Sequence, residues 1–177
     1  ENIFKYIHMP GSSILERTRK IESVLNTKYF LICADDDFLL PGAITKVIKK
    51  LKENKKNNVV SAQGRYLVFD KNTLIPKRVS AHYYSTYDHL KIDDSSALKR
   101  LLTINSYPIF HYPYTICQKE VLENFNKIVL GIKESMDFDI DINVLYEPLM
   151  GIAVAVTGNY IAVNCAYCVR RPSKPWQ

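Results

Sequence analysis

Residues 29–42 constrain the fold most strongly, because an apolar run leads directly into three consecutive aspartates. Residues 29–34 are all apolar or aromatic, and Asp35, Asp36 and Asp37 follow them. A continuous apolar run with a polar boundary predicts a strand that is buried on both faces of a sheet. Ligands bind at the carboxyl ends of the strands in open α/β sheets. The stretch therefore predicts a ligand site at the point where a buried strand ends.

The three aspartates favour a bound divalent cation. Adjacent carboxylates repel one another and are costly to remove from water together. Mg²⁺ and Mn²⁺ prefer carboxylate oxygens and share their coordination shell with substrate phosphates. In an extended chain Asp35 and Asp37 point to one side and Asp36 to the other, which makes Asp35 and Asp37 the predicted metal ligands. The alternative is a capping cluster, because residues 40–43 are typical of the start of a helix.

The order of the predicted elements indicates an α/β domain. Apolar periodicity predicts helices over residues 14–25 and 42–56 and strands over residues 29–34 and 59–69, the last broken by Gly64. A strand–helix–strand order implies parallel pairing with a right-handed crossover. We therefore expect a mostly parallel sheet flanked by helices. Further expected elements are a strand over 2–8, a helix through about 103, a helix over 118–125, a helix over 149–156 and a closing strand over 160–169.

Composition limits the function classes. The 177 residues suffice for one domain with a buried core, and no stretch reaches the ~20 apolar residues that cross a bilayer. The net charge of +6 suits an anionic ligand, but no RNA-binding signature accompanies it, so no nucleic-acid partner is predicted. The chain opens on Glu1 without an initiator methionine, and we expect a piece of a longer protein.

The four cysteines have no spacing that indicates a disulfide framework. Cys165 and Cys168 form a CxxC pair, but a zinc site needs two further ligands that the sequence does not offer. Reduced cysteines in the core of a cytosolic protein are the better interpretation.

The helix predicted over 42–56 carries an outward lysine face. Such a face is ordinarily solvated, and a peripheral contact with an anionic membrane surface is the alternative. Its lysines are Lys46, Lys49, Lys50, Lys52, Lys55 and Lys56.

A second acidic segment contains the candidates for a general base. Glu147 precedes Pro148, and a proline disfavours helix at the residue before it but fits the first position of a new helix. We therefore predict that Glu147 lies at the N-terminus of a buried helix, where the dipole keeps a carboxylate ionised as a base requires. A capping glutamate is the alternative. Asp139 and Asp141 lie upstream in the same segment.

Arginines flank both segments. Arg17 lies on the polar side of the first predicted helix, and a basic side chain near the carboxylates suits phosphate. Arg170 and Arg171 follow the closing strand, where paired arginines suit a diphosphate or lie in solvent.

These residues resemble a known family. The resemblance is to the central motif of bacterial family-2-like glycosyltransferases, which have the Rossmann-like GT-A fold. The residues that carry it are Arg17, Ile21, Val24, residues 29–34, the three aspartates and residues 40–43. The resemblance is good over residues 11–60, weak over 135–171 and absent between them. The family's first strand and its base-gripping loop would precede residue 1, and the sequence has no Gln-x-x-Arg-Trp motif of a processive polysaccharide synthase.

The resemblance implies a function and a set of roles. Asp35 and Asp37 would hold Mn²⁺ or Mg²⁺ on the diphosphate of a UDP- or GDP-type sugar donor, Asp36 would lie nearer the sugar or ribose, and Arg17 would face the nucleotide. The later segment resembles the family's base region, with Glu147 as the first choice before Asp139 and Asp141. The implied reaction is inverting transfer of the sugar to a hydroxyl of a saccharide or another acceptor.

The resemblance implies a single domain over residues 1–177 with two halves. The half at about 1–72 would bind the metal and the sugar donor, and the half at about 73–177 would bind the acceptor and contain the general base. Two other functions stay open. A metal-dependent nucleotidyltransferase would use the same strand-borne aspartates, and a non-catalytic ligand-binding fragment of a larger protein would use none of this chemistry.

Overall fold

A computed structural model of the chain describes residues 5–33, 37–69, 81–83, 91–105, 114–135 and 142–170. These residues form helices on both sides of one mixed sheet. The helices are α1 (Ile14–Val24), α2 (Pro41–Glu53), α3 (Ala97–Asn105), α4 (Lys119–Ser135) and α5 (Ile142–Thr157), with a 3-10 turn at Lys55–Asn57. The strands are β1 (Tyr29–Phe30), β2 (Phe38–Leu39), β3 (Val59–Phe69), β4 (Ala81–Tyr83), β5 (Lys91–Ile92), β6 (Ile116–Gln118) and β7 (Asn159–Arg170).

The domain belongs to the mixed α/β class, but its sheet is mostly antiparallel. The prediction of a mostly parallel sheet is therefore wrong. Its strands follow the order β1-β6-β3-β7-β2, with β4 beside β3 and β5 beside β7. Within the described residues, β3 and β7 are the only neighbours that run parallel. The physical reason is β6, which lies between β1 and β3 and pairs antiparallel with both. β1 and β3 therefore run in the same direction, as the strand–helix–strand order predicts, but they are not neighbours.

The first strand is shorter than expected. Ladder pairing covers only Tyr29 and Phe30 of the predicted 29–34, although the alternation of faces continues beyond them. Tyr29 and Leu31 pack with α2 on one face of the sheet, and Phe30 and Ile32 pack with α4 and α5 on the other. The apolar run is thus divided between two cores, as a strand covered on both faces requires.

The helices that flank the aspartates begin with the expected signals. Ser13 caps α1, and Glu16 completes the capping box by accepting from the Ser13 backbone N–H at 2.7 Å. Pro41 occupies the start of α2, where its missing N–H is not needed. Along α2, Ala43, Val47 and Leu51 are buried in the core against the sheet. All six lysines predicted to face outward are exposed.

Gly64 does not break β3, which runs without interruption from Val59 to Phe69. Instead, the register between β3 and β7 shifts between Gln63 and Arg65. A Cβ atom on Gly64 would lie 2.3 Å from Cβ of Tyr167 and 2.8 Å from the carbonyl oxygen of Cys165. Glycine is therefore required by the close approach of β7 at a bulge.

The helix that contains Glu147 begins earlier than predicted. α5 starts at Ile142 and runs through Pro148 to Thr157, so Glu147 is an interior residue of the helix and the predicted N-terminal position is wrong. An interior proline costs about 3 kcal/mol. Burial of Ile142, Leu149 and Met150 on one continuous face offsets that cost, because these side chains belong to the core beneath α4 and α5.

Other boundaries also differ. α4 extends to Ser135, ten residues beyond the predicted 118–125, because Val129 and its neighbours continue the buried face. Residues 5–8 form no strand, whereas residues 2–4 of that prediction lie outside the described residues. None of the helices in the described ranges is long and apolar enough to cross a bilayer.

Candidate functional site

β2 begins where β3 and β7 end. β3 and β7 run in the same direction, and β2, which runs against them, pairs Phe38 with Val169 beside their last residues. β1 pairs with β6, and β6 pairs with the start of β3, at Ser61 and Ala62. Asp37 directly precedes β2, Tyr114 lies two residues before β6, and Arg170 is the last residue of β7. The carboxyl ends of strands are the edge at which ligands bind in α/β sheets. Asp37 and the backbone of Arg170 therefore lie at the carboxyl ends of β3 and β7, which is the kind of edge that the sequence indicates.

Asp37 and Arg170 are brought together by strand register. β2 and β7 pair Phe38 with Val169 and Leu39 with Cys168. One further step along both strands places the backbone of Asp37 opposite that of Arg170. Arg170 also pairs with Val68 of β3. Two of the predicted site residues, 133 positions apart in sequence (170 − 37), are thus adjacent in the fold.

The carboxylate of Asp37 has a tyrosine partner that the sequence did not reveal. The hydroxyl of Tyr114 donates a hydrogen bond to Oδ2 of Asp37. Asp37 is half-buried and Tyr114 is 4% exposed. The Sγ atom of Cys33 lies 3.8 Å from the carbonyl oxygen of Asp37 and approaches the same turn. The strand that leads into the aspartates and the segment that precedes β6 therefore meet at this residue.

A buried polar cluster lies beneath Tyr114. The Tyr114 ring contacts Tyr66 edge-on, with ring centroids 5.6 Å apart at 89°. The Gln63 amide donates to the Tyr66 hydroxyl and accepts from Thr115 at 3.1 Å. Burial, with smaller effects from neighbouring thiols and phenols, raises the pKa of Tyr66 well above its ordinary value. Tyr66 is therefore neutral in the folded protein at physiological pH.

Arg17 lines a separate surface pocket of about 350 Å³. The guanidinium Nε donates to Oγ of Ser12 at 3.1 Å, which directs the side chain along the start of α1. Tyr6 stacks on His8 with centroids 6.0 Å apart, yet its side chain is 86% exposed. Two cationic side chains and an exposed aromatic ring are suited to an anionic, aromatic ligand. The lining residues are Tyr6, Ile7, His8, Met9, Pro10, Arg17, Lys20 and Ile21.

Most of the other predicted site residues lie outside the part of the chain that the structure describes. Asp35, Asp36, Asp139 and Asp141 lie outside the described residues. Glu147 is exposed on α5, which belongs to the core on the face of the sheet opposite Tyr114. Within the ranges that the structure describes, no three or more His, Cys, Asp or Glu side chains form a metal-binding group, and Asp37 is the one predicted metal ligand described.

The cysteines form no disulfide in the described ranges, which include all four of them. Cys117 and Cys168 are buried, Cys165 is half-buried and Cys33 is exposed. Burial raises the pKa of the Cys117 thiol, so it is protonated at physiological pH. The prediction of core cysteines is thus right for two of the four and wrong for Cys33, which lies in the turn before the aspartates.

Comparison with known proteins identifies no family. Neither a scan against protein-family models nor a search of curated proteins finds a match to this chain. The function is therefore inferred from its own residues.

Proposed function

We propose that the protein is a glycosyltransferase with a GT-A-like fold, which transfers a sugar from a nucleoside-diphosphate sugar to an acceptor hydroxyl with the help of a divalent cation. The observation that supports this proposal most directly is the position of Asp37. It is the last residue of an Asp-Asp-Asp motif and directly precedes β2, beside the last residues of β3 and β7. A single carboxylate would be a common feature, but one delivered by an apolar strand to this edge is typical of a phosphate-binding metal site.

The donor set fits Mn²⁺ or Mg²⁺. Both ions take carboxylate oxygens, and Asp37 offers such oxygens in a half-buried position. The hydroxyl of Tyr114 is uncharged, so its hydrogen bond orients the carboxylate without cancelling its negative charge. Asp35 is the proposed second ligand. A metal held by Asp35 and Asp37 would neutralise charge on a departing nucleoside diphosphate.

The arginines are proposed to bind the donor. Arg17 and Lys20 bring two positive charges to a pocket with an exposed tyrosine, which suits the phosphate and base of a nucleotide. The end of β7 brings the backbone of Arg170 beside that of Asp37, and an arginine at this position suits a diphosphate. Asp36 is proposed to contact the sugar or ribose. The donor is therefore a UDP- or GDP-type sugar.

The general base is proposed to be Glu147, Asp139 or Asp141. A base must come within hydrogen-bond reach of the acceptor hydroxyl. Because Glu147 lies inside α5, the helix dipole provides no reason to prefer it, and its exposure is the remaining support. The base would take the proton of a saccharide or other hydroxyl acceptor, and inversion at the anomeric carbon is proposed from the resemblance.

We further propose that the protein acts in the cytoplasm. All four cysteines are described, and none forms a disulfide, which fits a reducing compartment. A peripheral contact of the exposed α2 lysines with the anionic inner membrane surface stays the alternative to an ordinary solvated face.

Calorimetric titration with UDP and GDP, each with and without Mn²⁺, tests the proposal. Wild type should bind one of them in a Mn²⁺-dependent manner, and Asp37→Ala should weaken that binding at least tenfold. Glu53→Ala is the matched control, because Glu53 is an exposed carboxylate at the far end of α2 and pairs only across the surface with Lys50. Equal Mn²⁺-dependent binding by Asp37→Ala and wild type would contradict the metal site.

A donor assay then separates the reaction classes. Release of a nucleoside diphosphate with transfer of the sugar supports a glycosyltransferase. Transfer of the nucleotide itself would indicate a nucleotidyltransferase that uses the same carboxylates. Metal-dependent binding without transfer to any acceptor tried would favour a ligand-binding fragment.

A further inference from the structure

We propose that Tyr114 is a positioning residue that fixes the carboxylate of Asp37 for a divalent cation. This inference rests on the proposed function, because it assigns a role to Tyr114 only if Asp37 binds metal. It is supported by the hydrogen bond from the Tyr114 hydroxyl to Oδ2 of Asp37, which joins residues 77 positions apart.

The sheet explains how Tyr114 reaches this position. β1 and β6 pair Tyr29 with Gln118 and Phe30 with Cys117. Tyr114 lies two residues before β6, and Asp37 lies in the segment between β1 and β2. Because β6 is the neighbour of β1, the segment that leads into β6 passes beside the segment that follows β1. The hydrogen bond joins these two segments.

The tyrosine is held from beneath. Its ring packs edge-on against Tyr66, which is 4% exposed, and the Tyr66 hydroxyl accepts from Gln63. Gln63 in turn accepts a hydrogen bond from Thr115, the residue next to Tyr114. The side chains of Gln63 and Thr115 are both buried. Because of this packing, the oxygen of the Tyr114 hydroxyl cannot move away from Asp37 unless the ring itself moves. Groups that orient a metal ligand through hydrogen bonds alter affinity about 10–100-fold when they are removed.

The hydrogen bond is compatible with metal binding. An ionised carboxylate has about four lone-pair sites on its two oxygens. The hydrogen bond from Tyr114 uses one of them, so this bond does not by itself prevent the carboxylate from binding a cation. A fixed carboxylate loses less conformational entropy when the cation binds than a freely rotating one does.

The test compares Tyr114→Phe with Tyr146→Phe. Each removes one buried hydroxyl and keeps the aromatic ring, so circular dichroism should give a native spectrum for both. The Tyr114 hydroxyl contacts Asp37, whereas Tyr146 lies on α5 and packs against Phe125 in the core on the other face of the sheet. Binding of Mn²⁺ in the presence of UDP or GDP is measured by electron paramagnetic resonance, which reports both affinity and the coordination of the bound ion.

We expect Tyr114→Phe to weaken Mn²⁺ binding about tenfold and to change the spectrum of bound Mn²⁺. Tyr146→Phe should remain within about twofold of wild type, with an unchanged spectrum, because it leaves the Tyr114 hydroxyl and the residues packed against Tyr114 unchanged. If both variants weaken binding equally, the effect is one of general packing and the positioning role is refuted.

Asp37→Ala separates the two proposals. If it abolishes Mn²⁺ binding while Tyr114→Phe binds as wild type, the positioning role is overturned and the metal site stands. If wild type itself binds no Mn²⁺ with either nucleotide, the proposed function fails and the role of Tyr114 fails with it.

Discussion

Replacement of Arg100 by methionine is predicted to destabilise the fold. Arg100 lies on α3 and is 6% exposed, although it carries a permanent positive charge. Its Nε donates to the Ala155 carbonyl at 2.8 Å, and its Nη1 donates to the carbonyls of Asp94 at 2.5 Å and Ser95 at 3.2 Å. Ala155 belongs to the last turn of α5, where carbonyls lack partners within the helix. One side chain therefore connects α3, the turn before it and the end of α5.

The magnitude follows from those bonds. Hydrogen bonds to a charged group contribute about 1.5–3 kcal/mol each, so the two shorter ones amount to about 3–6 kcal/mol. Methionine has similar length and removes the cost of burying the guanidinium, which offsets part of the loss. The net decrease in the free energy of unfolding should be about 2–3 kcal/mol. For a chain of this size, that decrease lowers the melting temperature by about 4–12 °C.

Urea unfolding followed by circular dichroism measures this change. Lys99→Met is the matched control, because Lys99 is the preceding residue, its side chain is 70% exposed, and its 3.8 Å pair with Asp94 is on the surface. The control should stay within about 0.5 kcal/mol of wild type. An Arg100→Met variant that unfolds at the same urea concentration as Lys99→Met would refute the reasoning.

Two further changes have defined outcomes. Gly64→Ala should lower the free energy of unfolding by about 1–3 kcal/mol, because the added Cβ would meet Tyr167 and a β7 carbonyl. Gly131→Ala should raise the free energy of unfolding by about 0.5–1 kcal/mol, because Gly131 lies in α4 with open space around it. Urea titration of both variants measures these changes. Hydrogen bonds from the backbone and then the side chain of Ser13 lower the pKa of Glu16 below its ordinary value of 4.5. The stabilisation by Glu16 should therefore be complete above about pH 4.5 and disappear as the pH falls through the lowered pKa of Glu16. Wild type and Glu16→Gln should accordingly differ in unfolding free energy at neutral pH, and this difference should narrow only in the acidic range.

Long periodic segments were predictable, because burial dictates their pattern. The predicted helix over 14–25 corresponds to α1, and the strand predicted over 160–169 corresponds to β7 within one residue at each end. β6 was not predictable in this way. Its three residues pair with β1 and β3 on both sides, so its conformation depends on neighbours that are distant in sequence.

The predicted start of α5 is wrong because the burial of apolar residues outweighs the local preference of proline for the start of a helix. A proline locally favours the start of a helix at Pro148, but the apolar residues on both sides of it share one core, and a continuous helix buries them all. Asp37 could be singled out from the sequence because an apolar run leads directly into the three aspartates. Tyr114 could not, because its contact with Asp37 spans 77 residues and follows only from the position of β6.

The location of β7 has a consequence for the synthesis of the protein. β7 runs along β3 on one side and along β2 and β5 on the other, yet it is formed by residues 159–170. While the chain is still emerging from the ribosome, β3 has its long inner edge uncovered, and β2 has no strand beside it. Every earlier intermediate therefore exposes an unpaired, apolar strand edge of the kind that promotes aggregation. The turn that holds Asp37 therefore acquires its neighbour on β7 only after residues 168–170 have been synthesised.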